Sequence, residues 1–245
     1  MIIKNKHYEG QEELIFDSFK HQYKLGADII TSVTQALSVI NKPALVAWAA
    51  NTAIEYASEQ IEPGKGYDEV QLANIWEQSR KAHYQRKTDA GTIGTLIHKW
   101  VEAYIKGEQP GTPISPELKE AVEKFLGWVE KHQVKFLSSE QPIYSRKYRY
   151  TGTLDFICTI DKKMYVGDLK TSSGIYPEMF LQTAAYRQAR SEEFPQEQYD
   201  GQLILRIGKD GTFEFARVTD FATYKNMLIG FIAALKLFET LGDLK

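Results

Sequence analysis

The 245-residue chain reads as an α/β protein: a mixed β-sheet core flanked by helices, with a helical N-terminal addition. Three observations predict that class. Apolar residues recur at helical spacing through most of residues 1–133. From residue 134 the period changes to alternation, in runs broken by short polar turns. Within that second part, helical stretches follow the third strand and the last one, as in a sheet with helices packed on it. Residues 1–133 and 134–245 are read as two parts of a single domain, a size that one hydrophobic core can serve.

The elements follow in order. Residues 14–30 contain IFDSF and KHQYKL, short strands ending at Gly26. Ser32 followed three residues later by Gln35 has the spacing of a capping box. Pro43 suits a first helical turn, the helix runs to Glu59, and EPGKG at 62–66 breaks it. Helices are expected over 68–87 and 92–106, the second stopped by Gly107 and the PGTP turn from Pro110. Ser115-Pro116 opens another helix to about His132. Strands are expected at 134–144, 150–160 and 163–171, with a short DKK turn at 161–163, then a helix over 177–190. QLILRI and TFEFARV flank GKDG, a hairpin signal. The last helix, 221–241, carries Phe221, Tyr224, Leu228, Phe231, Leu235 and Phe238 on one stripe, read as core.

Composition excludes several classes. With 43% hydrophobic and 25% charged residues, wholesale disorder is out. Thirty basic residues against 32 acidic ones exclude a polycation and leave room for a local basic groove. A lone cysteine, Cys158, closes no intrachain disulfide and builds neither a four-cysteine zinc site nor an iron–sulfur cluster. That points to a reducing compartment and to oxygen or imidazole as the ligands of any metal. The start MIIKNKHYEG has no apolar signal-peptide region. The apolar stretches 43–50 and 227–237 fall short of the ~20 residues that span a bilayer. The expectation is a cytoplasmic chain without a signal peptide or membrane segment, and with no membrane partner.

The stretch TGTLDFICTIDKKMYVGDLKTS carries the chemistry. Strand alternation puts Asp168 and Lys170 on one side, and pairing through the DKK turn brings Asp155 near them, opposite a face of Leu154, Phe156, Cys158 and Ile160. Two converging carboxylates repel unless a cation lies between them. Oxygen ligands without a thiolate favour Mg²⁺ or Mn²⁺. Lys170 beside that ion can hold a water and neutralise phosphate charge. A solvated strand face explains a lone Asp-x-Lys, but not an aspartate after Gly-Thr in an otherwise apolar strand. His98 and Glu102, then Gln182 and Tyr186, are further pairs at i and i+4 on helices.

In order, the features are H-x-x-x-E on a helix, a strand-borne Glu140, G-T-x-D, D-x-K-T-S and Q-x-x-x-Y. This set, from His98 to Tyr186, resembles the RecB-like branch of the PD-(D/E)xK nuclease superfamily. SVTQAL and GTLIHKWVEAYI are similar to segments of the mitochondrial genome maintenance exonuclease group and its phage and bacterial relatives. The resemblance implies a restriction-endonuclease-like core and a single nuclease domain. It implies Asp155, Asp168, the Leu169 carbonyl and His98 as ligands of one or two Mg²⁺ or Mn²⁺ ions. It makes Lys170 the catalytic lysine, groups Glu140 with the catalytic residues, and gives Glu102 a supporting role. Gln182, Tyr186 and Thr171 would touch the nucleic-acid backbone. The iron–sulfur cluster of some relatives has no ligands here, and no Walker A sequence provides for a nucleotide cofactor.

The function so implied is metal-dependent phosphodiester hydrolysis, foremost as a DNA exonuclease on single strands or free ends. A structure-specific or phage recombination nuclease on duplex ends is the alternative within that chemistry, and a non-catalytic nucleic-acid-binding module the alternative outside it. DNA is the expected partner, with replication or recombination proteins beside it. Phosphate contacts are expected from Arg80, Lys81, Arg86 and Lys87 and from Arg146, Lys147 and Arg149. Tyr84, Tyr148 and Tyr150 are candidates for stacking on bases. Ser32, at a helix start, is a candidate phosphate contact, although capping alone accounts for it.

Overall fold

The computed structural model describes residues 1–111 and 115–243, so Thr112 and Pro113 of the PGTP turn lie outside the described residues. The chain forms two compact units, Met1–Ile40 with Ile97–Lys245, and Asn41–Leu96. The larger unit contains a mixed nine-stranded sheet, the expected α/β core. Strands β5 (Lys135–Ser145), β6 (Tyr150–Ile160) and β7 (Lys163–Lys170) are consecutive antiparallel neighbours. Helix α5 (Pro177–Glu193) then crosses to β8 (Gly201–Ile207), which runs parallel to β7, and β9 (Phe213–Val218) returns antiparallel. The β6–β7 connection is two residues, Asp161 and Lys162, at φ 51° and 65°. Two left-handed residues match the twist of a tight hairpin and set its register.

The short strands expected within residues 14–30 are present, and further strands flank them. Four strands, β1 (Ile2–His7), β2 (Glu12–Asp17), β3 (Gln22–Leu25) and β4 (Asp28–Ser32), form an antiparallel meander. β1 was not foreseen, because it is an outer strand whose residues are mostly exposed, so alternation is absent from its sequence. β4 joins the main sheet, pairing parallel to β6 at Tyr150 and Thr151.

That junction shapes the molecule. β5 occupies one edge of β6 along most of its length. On the other edge β4 takes Tyr150 and Thr151 while β7 takes Phe156 to Ile160. Gly152 to Asp155 therefore have no strand neighbour on that edge, and the sheet is split there.

Helices cover both faces of the sheet. Under α5 lies a core that includes Val33, Tyr150, Leu154, Ile157, Val166 and Phe231, closed by Ala185 and Ala189, whose small side chains let the helix approach. Phe125 and Trp128 of α4 (Pro116–Lys131) pack with Phe136, Phe213 and Phe215. Leu154 and Ile157, three apart, share the first core, while Phe156 turns its ring to Phe136 at 5.4 Å. The expected common face of Leu154, Phe156, Cys158 and Ile160 is thus interrupted at Asp155.

The helix starts are chemically explicit. Ser32 and Gln35 form the expected capping box before α1 (Val33–Ala36), and Ser115 accepts from the Leu118 amide before α4. In α6 (Phe221–Asp243), Tyr224, Leu228, Phe231 and Leu235 are buried as expected. Phe221 is 60% exposed at the first position of the helix, where its ring lies beside Tyr224 and the Lys225 ammonium. By length and composition, Phe221–Gly242 is apolar enough to cross a membrane; 28% of it is buried, and the stripe of Tyr224, Leu228, Phe231 and Leu235 is the side that packs inward.

The smaller unit comprises α2 (Pro43–Gln60) and the portion of α3 (Glu69–Ile105) up to Leu96. The two helices expected over 68–87 and 92–106 are one. Gly91 carries helix propensity too weak to nucleate but no barrier to propagation. The hydroxyls of Thr88, Thr92 and Thr95 bond back to the carbonyls of Tyr84, Thr88 and Gly91, so these residues satisfy themselves within the helix.

Candidate active site

The split edge of β6 and the C-terminal end of β7 border a cleft of about 800 Å³. Asp155, Asp168, Leu169, Lys170, Thr171, Gln182, Tyr186 and His98 all line it. Two glycines make this local geometry possible. A Cβ on Gly152 would stand 3.1 Å from the Tyr186 ring, and one on Gly167 would fall 1.9 Å from the ring of its cross-strand partner Phe156. The absent side chains let Tyr186 lie on β6 and let Phe156 cover β7 one residue before Asp168.

Asp168 is 1% exposed. Alternation along β7 places Lys170 on its side, with Nζ 2.6 Å from Asp168 Oδ2. Lys170 Nζ donates to Gln182 Oε1 at 3.0 Å, and Gln182 Nε2 donates to Asp168 Oδ1 at 3.1 Å and to the Tyr186 hydroxyl at 2.7 Å. The i, i+4 spacing on α5 points Gln182 and Tyr186 at the strand together. Tyr186 is itself 3% exposed, so it acts by holding Gln182.

Asp155 projects from the unpaired stretch. Its Oδ2 accepts the Leu169 amide at 2.7 Å and lies 3.8 Å from His98 Nδ1. Glu140 falls opposite Asp155, between the pairs Ser139–Phe156 and Gln141–Leu154. Its φ of 49° is left-handed, a conformation that costs a glutamate roughly 1 kcal/mol or more. His98, Glu140 and Asp155 each offer a ligand atom, and these atoms lie within 4.8 Å of one another.

Electrostatics bind these groups together. Burial, with the neighbouring Asp168 adding to it, pushes the Asp155 carboxyl well above the usual carboxylate range. Glu140, although exposed at the surface, is raised by partial desolvation and by the neighbouring Glu102, and burial lowers His98. For Lys170, burial acts downward, but the carboxylates of Asp168 and Asp155 outweigh it and raise the ammonium. Several acids crowd a site that disfavours their joint ionisation. Asp168 Oδ2 is buried, with the Lys170 ammonium 2.6 Å away. Carboxylate oxygens and one imidazole, with no thiolate, are a donor set that fits a divalent cation. Of the ligands expected from the sequence, Asp155, Asp168, Leu169 and His98, only Asp155 and His98 belong to the tightest group of ligand atoms, which Glu140 completes, while Asp168 is engaged by Lys170 and Gln182.

Other expected residues lie elsewhere or are engaged. Glu102 is ion-paired with Lys106 and borders a small recess shared with His98, Glu140 and Asp155. Arg80 and Lys81 pair with Glu77 at 3.4 and 2.6 Å, and Arg86 with Glu55 at 2.6 Å. Lys87 and Tyr84 are exposed, and this whole set belongs to the smaller unit. Arg146 is held by Glu12 at 2.5 Å and by the Tyr8 ring, and Arg149 by Asp28 at 2.6 Å. These two arginines fasten the β5–β6 turn to the N-terminal meander. Lys147 lies 4.9 Å over the Tyr148 ring. Tyr150 is fully buried and donates to the Ala185 carbonyl, so stacking on a base is closed to it. The Ser32 amide and hydroxyl are consumed by Gln35 in the capping box of a four-residue helix.

Two features in and beside the cleft escape the sequence reading. Phe16, His21 and Tyr23 form part of its wall, marked in the sequence only by aromatic density in IFDSFKHQY. Arg206, 3% exposed on β8 opposite Lys170, donates to the Ser172 carbonyl at 2.5 Å and to Thr212 at 2.6 Å. It anchors the segment that leaves Lys170.

No family model and no curated protein matches the chain. Among solved structures, the crystal structure of SSO0001 aligns with 46% of this chain and 55% of its own, at 17% identity and a TM-score of 0.26. The chain thus spans about half the length of that protein, an overlap too partial to bear on fold or function.

Proposed function

We propose that this protein is a Mg²⁺- or Mn²⁺-dependent deoxyribonuclease resembling the RecB-like branch of the PD-(D/E)xK superfamily, acting as an exonuclease on single-stranded DNA or DNA ends. The supporting observation is that Asp155, Asp168, Lys170, Gln182 and His98 line one cleft at the split in the sheet. Residues separated by up to 84 positions, from His98 to Gln182, converge there.

His98, Glu140 and Asp155, with Asp168 beside them, are the groups that would hold the cation. When bound, it supplies positive charge that polarises a scissile phosphate and eases deprotonation of an attacking water. Lys170 is the fixed cation of the site, placed to neutralise phosphate charge. Gln182 holds both Lys170 and Asp168, and Tyr186 holds Gln182, so the lysine has one orientation toward the cleft. The Leu169 amide keeps Asp155 turned inward. A cytoplasmic site of action in a bacterial or phage-infected cell, and work beside replication or recombination proteins, belong to the same reading.

The test uses end-labelled single-stranded, duplex and circular DNA with and without Mg²⁺. Loss of end label with circles left intact is the expected result, and Asp168→Ala and Lys170→Ala should abolish it. Cleavage of circles indicates an endonuclease, and cleavage of duplex ends alone a recombination-type nuclease. Undiminished cleavage by folded Lys170→Ala would overturn the assignment.

A further inference from the structure

We propose that the β2–β3 hairpin forms a base-stacking subsite, in which Phe16, Tyr23 and His21 receive an unpaired nucleotide of a single DNA strand beside the carboxylate cleft. The inference deepens the nuclease reading and rests on it.

Phe16 and Tyr23 are cross-strand partners, and their rings stack at 4.5 Å and 27°. His21 adds a third ring at 5.8 Å from Phe16. All three line the cleft that contains Asp155 and Lys170. Two register pairs away from Phe16 and Tyr23, Leu14 is fully buried with Ile30 and Tyr144, and Tyr23, only partly buried itself, packs one side against that cluster. The rings of Phe16 and Tyr23 thus run from the edge of the core into the cleft, and both stay only partly covered.

The wall is held in place. Tyr23 borders the cleft together with Thr153, two residues before Asp155, which sets the rings beside the strand that carries the carboxylate. Asp17 Oδ1 accepts the amides of Phe19 and Lys20 at 2.9 and 3.2 Å and orders the turn between the strands. Lys20 is exposed at the turn of the same hairpin, a cation for the phosphates of a bound strand.

The occupant follows from this chemistry. Bases in a duplex already stack on one another, whereas an unpaired base offers its face to an aromatic side chain. A ring wall in the same cleft as Asp155, Asp168 and Lys170 gives a single strand an interaction that a paired end does not obtain. Aromatic stacking is tolerant of base identity, so the subsite would select strandedness rather than sequence.

Binding is measured without divalent metal, using a fluorescein-labelled single-stranded oligonucleotide and the same strand carrying a tract of abasic residues. Wild-type protein is expected to bind the abasic strand at least about fivefold more weakly. The Phe16→Leu/Tyr23→Leu variant, which keeps apolar volume, should bind the intact strand about fivefold more weakly and lose discrimination against the abasic one. Tyr23→Phe, which keeps the ring, should discriminate like wild type. Equal wild-type affinity for intact and abasic strands overturns the subsite without recourse to any variant. Mg²⁺-dependent cleavage of the intact strand is recorded in parallel. Cleavage without discrimination removes the subsite and leaves the nuclease; absence of both binding and cleavage removes both.

Discussion

The Leu169 amide donates to Asp155 Oδ2 at 2.7 Å, at the point where the β6–β7 ladder has ended with the pair Phe156–Gly167. A side chain here replaces the missing strand neighbour. The backbone of β7 gains an acceptor, and the carboxylate is turned into the cleft rather than out to water. Because Lys170 follows directly, the same contact fixes the distance between the acid on one strand and the cation on the next.

A divalent cation held by His98, Glu140 and Asp155 should stabilise the fold by mass action. At a concentration 100 times its Kd the gain is about 2.7 kcal/mol, or about 5 °C or more in Tm for a chain of this size. Thermal melts with and without Mg²⁺ or Mn²⁺ measure it. The increment should vanish in Asp155→Asn and shrink in Glu140→Gln; an equal increment in all three proteins would rule these residues out as ligands.

Gly167→Ala places a methyl group within the van der Waals radius of Phe156. Overpacking of this kind costs about 1–3 kcal/mol, so the urea midpoint should fall. Adding Phe156→Leu should return part of the loss by opening the space. A midpoint equal to wild type in the single variant would show that the ring moves freely.

Cys158 is fully buried, and burial pushes its thiol up to about 12. It should resist thiol reagents at pH 8 in the native protein and react at once when unfolded. A thiol whose value is raised on folding stabilises as the neutral form. That contribution is complete below the ordinary value of 9.0 and is lost as pH climbs toward about 12. Rapid native-state labelling at pH 8 would contradict the burial.

Of the three basic residues at the β5–β6 turn, Lys147 alone should contribute a phosphate contact. Lys147→Ala is expected to lower the salt slope of single-strand binding by about 0.7. Arg146→Ala should instead cost about 0.5–1 kcal/mol of stability, since it loses Glu12 and the Tyr8 ring. A flattened slope in Arg146→Ala with unchanged stability would reverse that division.

Arg206→Leu should loosen the segment after Lys170, because the Ser172 carbonyl loses its donor. Loss of a hydrogen bond from a charged group costs about 1.5–3 kcal/mol, visible in the urea midpoint. Faster amide exchange at residues 171–174 than in wild type would confirm that the arginine acts on this segment.

Much of the molecule follows from local chemistry alone. Alternation placed β5 to β7 within a residue or so, the capping box stands at Ser32, and Asp168 and Lys170 share a side because strand geometry has period two. These are interactions among near neighbours in the chain, and residue types encode them directly. What tertiary structure alone decided is the long-range part. The split edge of β6 exists because β4 and β7 compete for it, a pairing between residues about 120 apart that no local pattern records. The same packing committed Arg146 and Arg149 to ion pairs, buried Tyr150, and brought Phe16 and Tyr23 into the cleft. A side chain's type states what it is able to bind, but which partner reaches it first is settled only when distant strands meet.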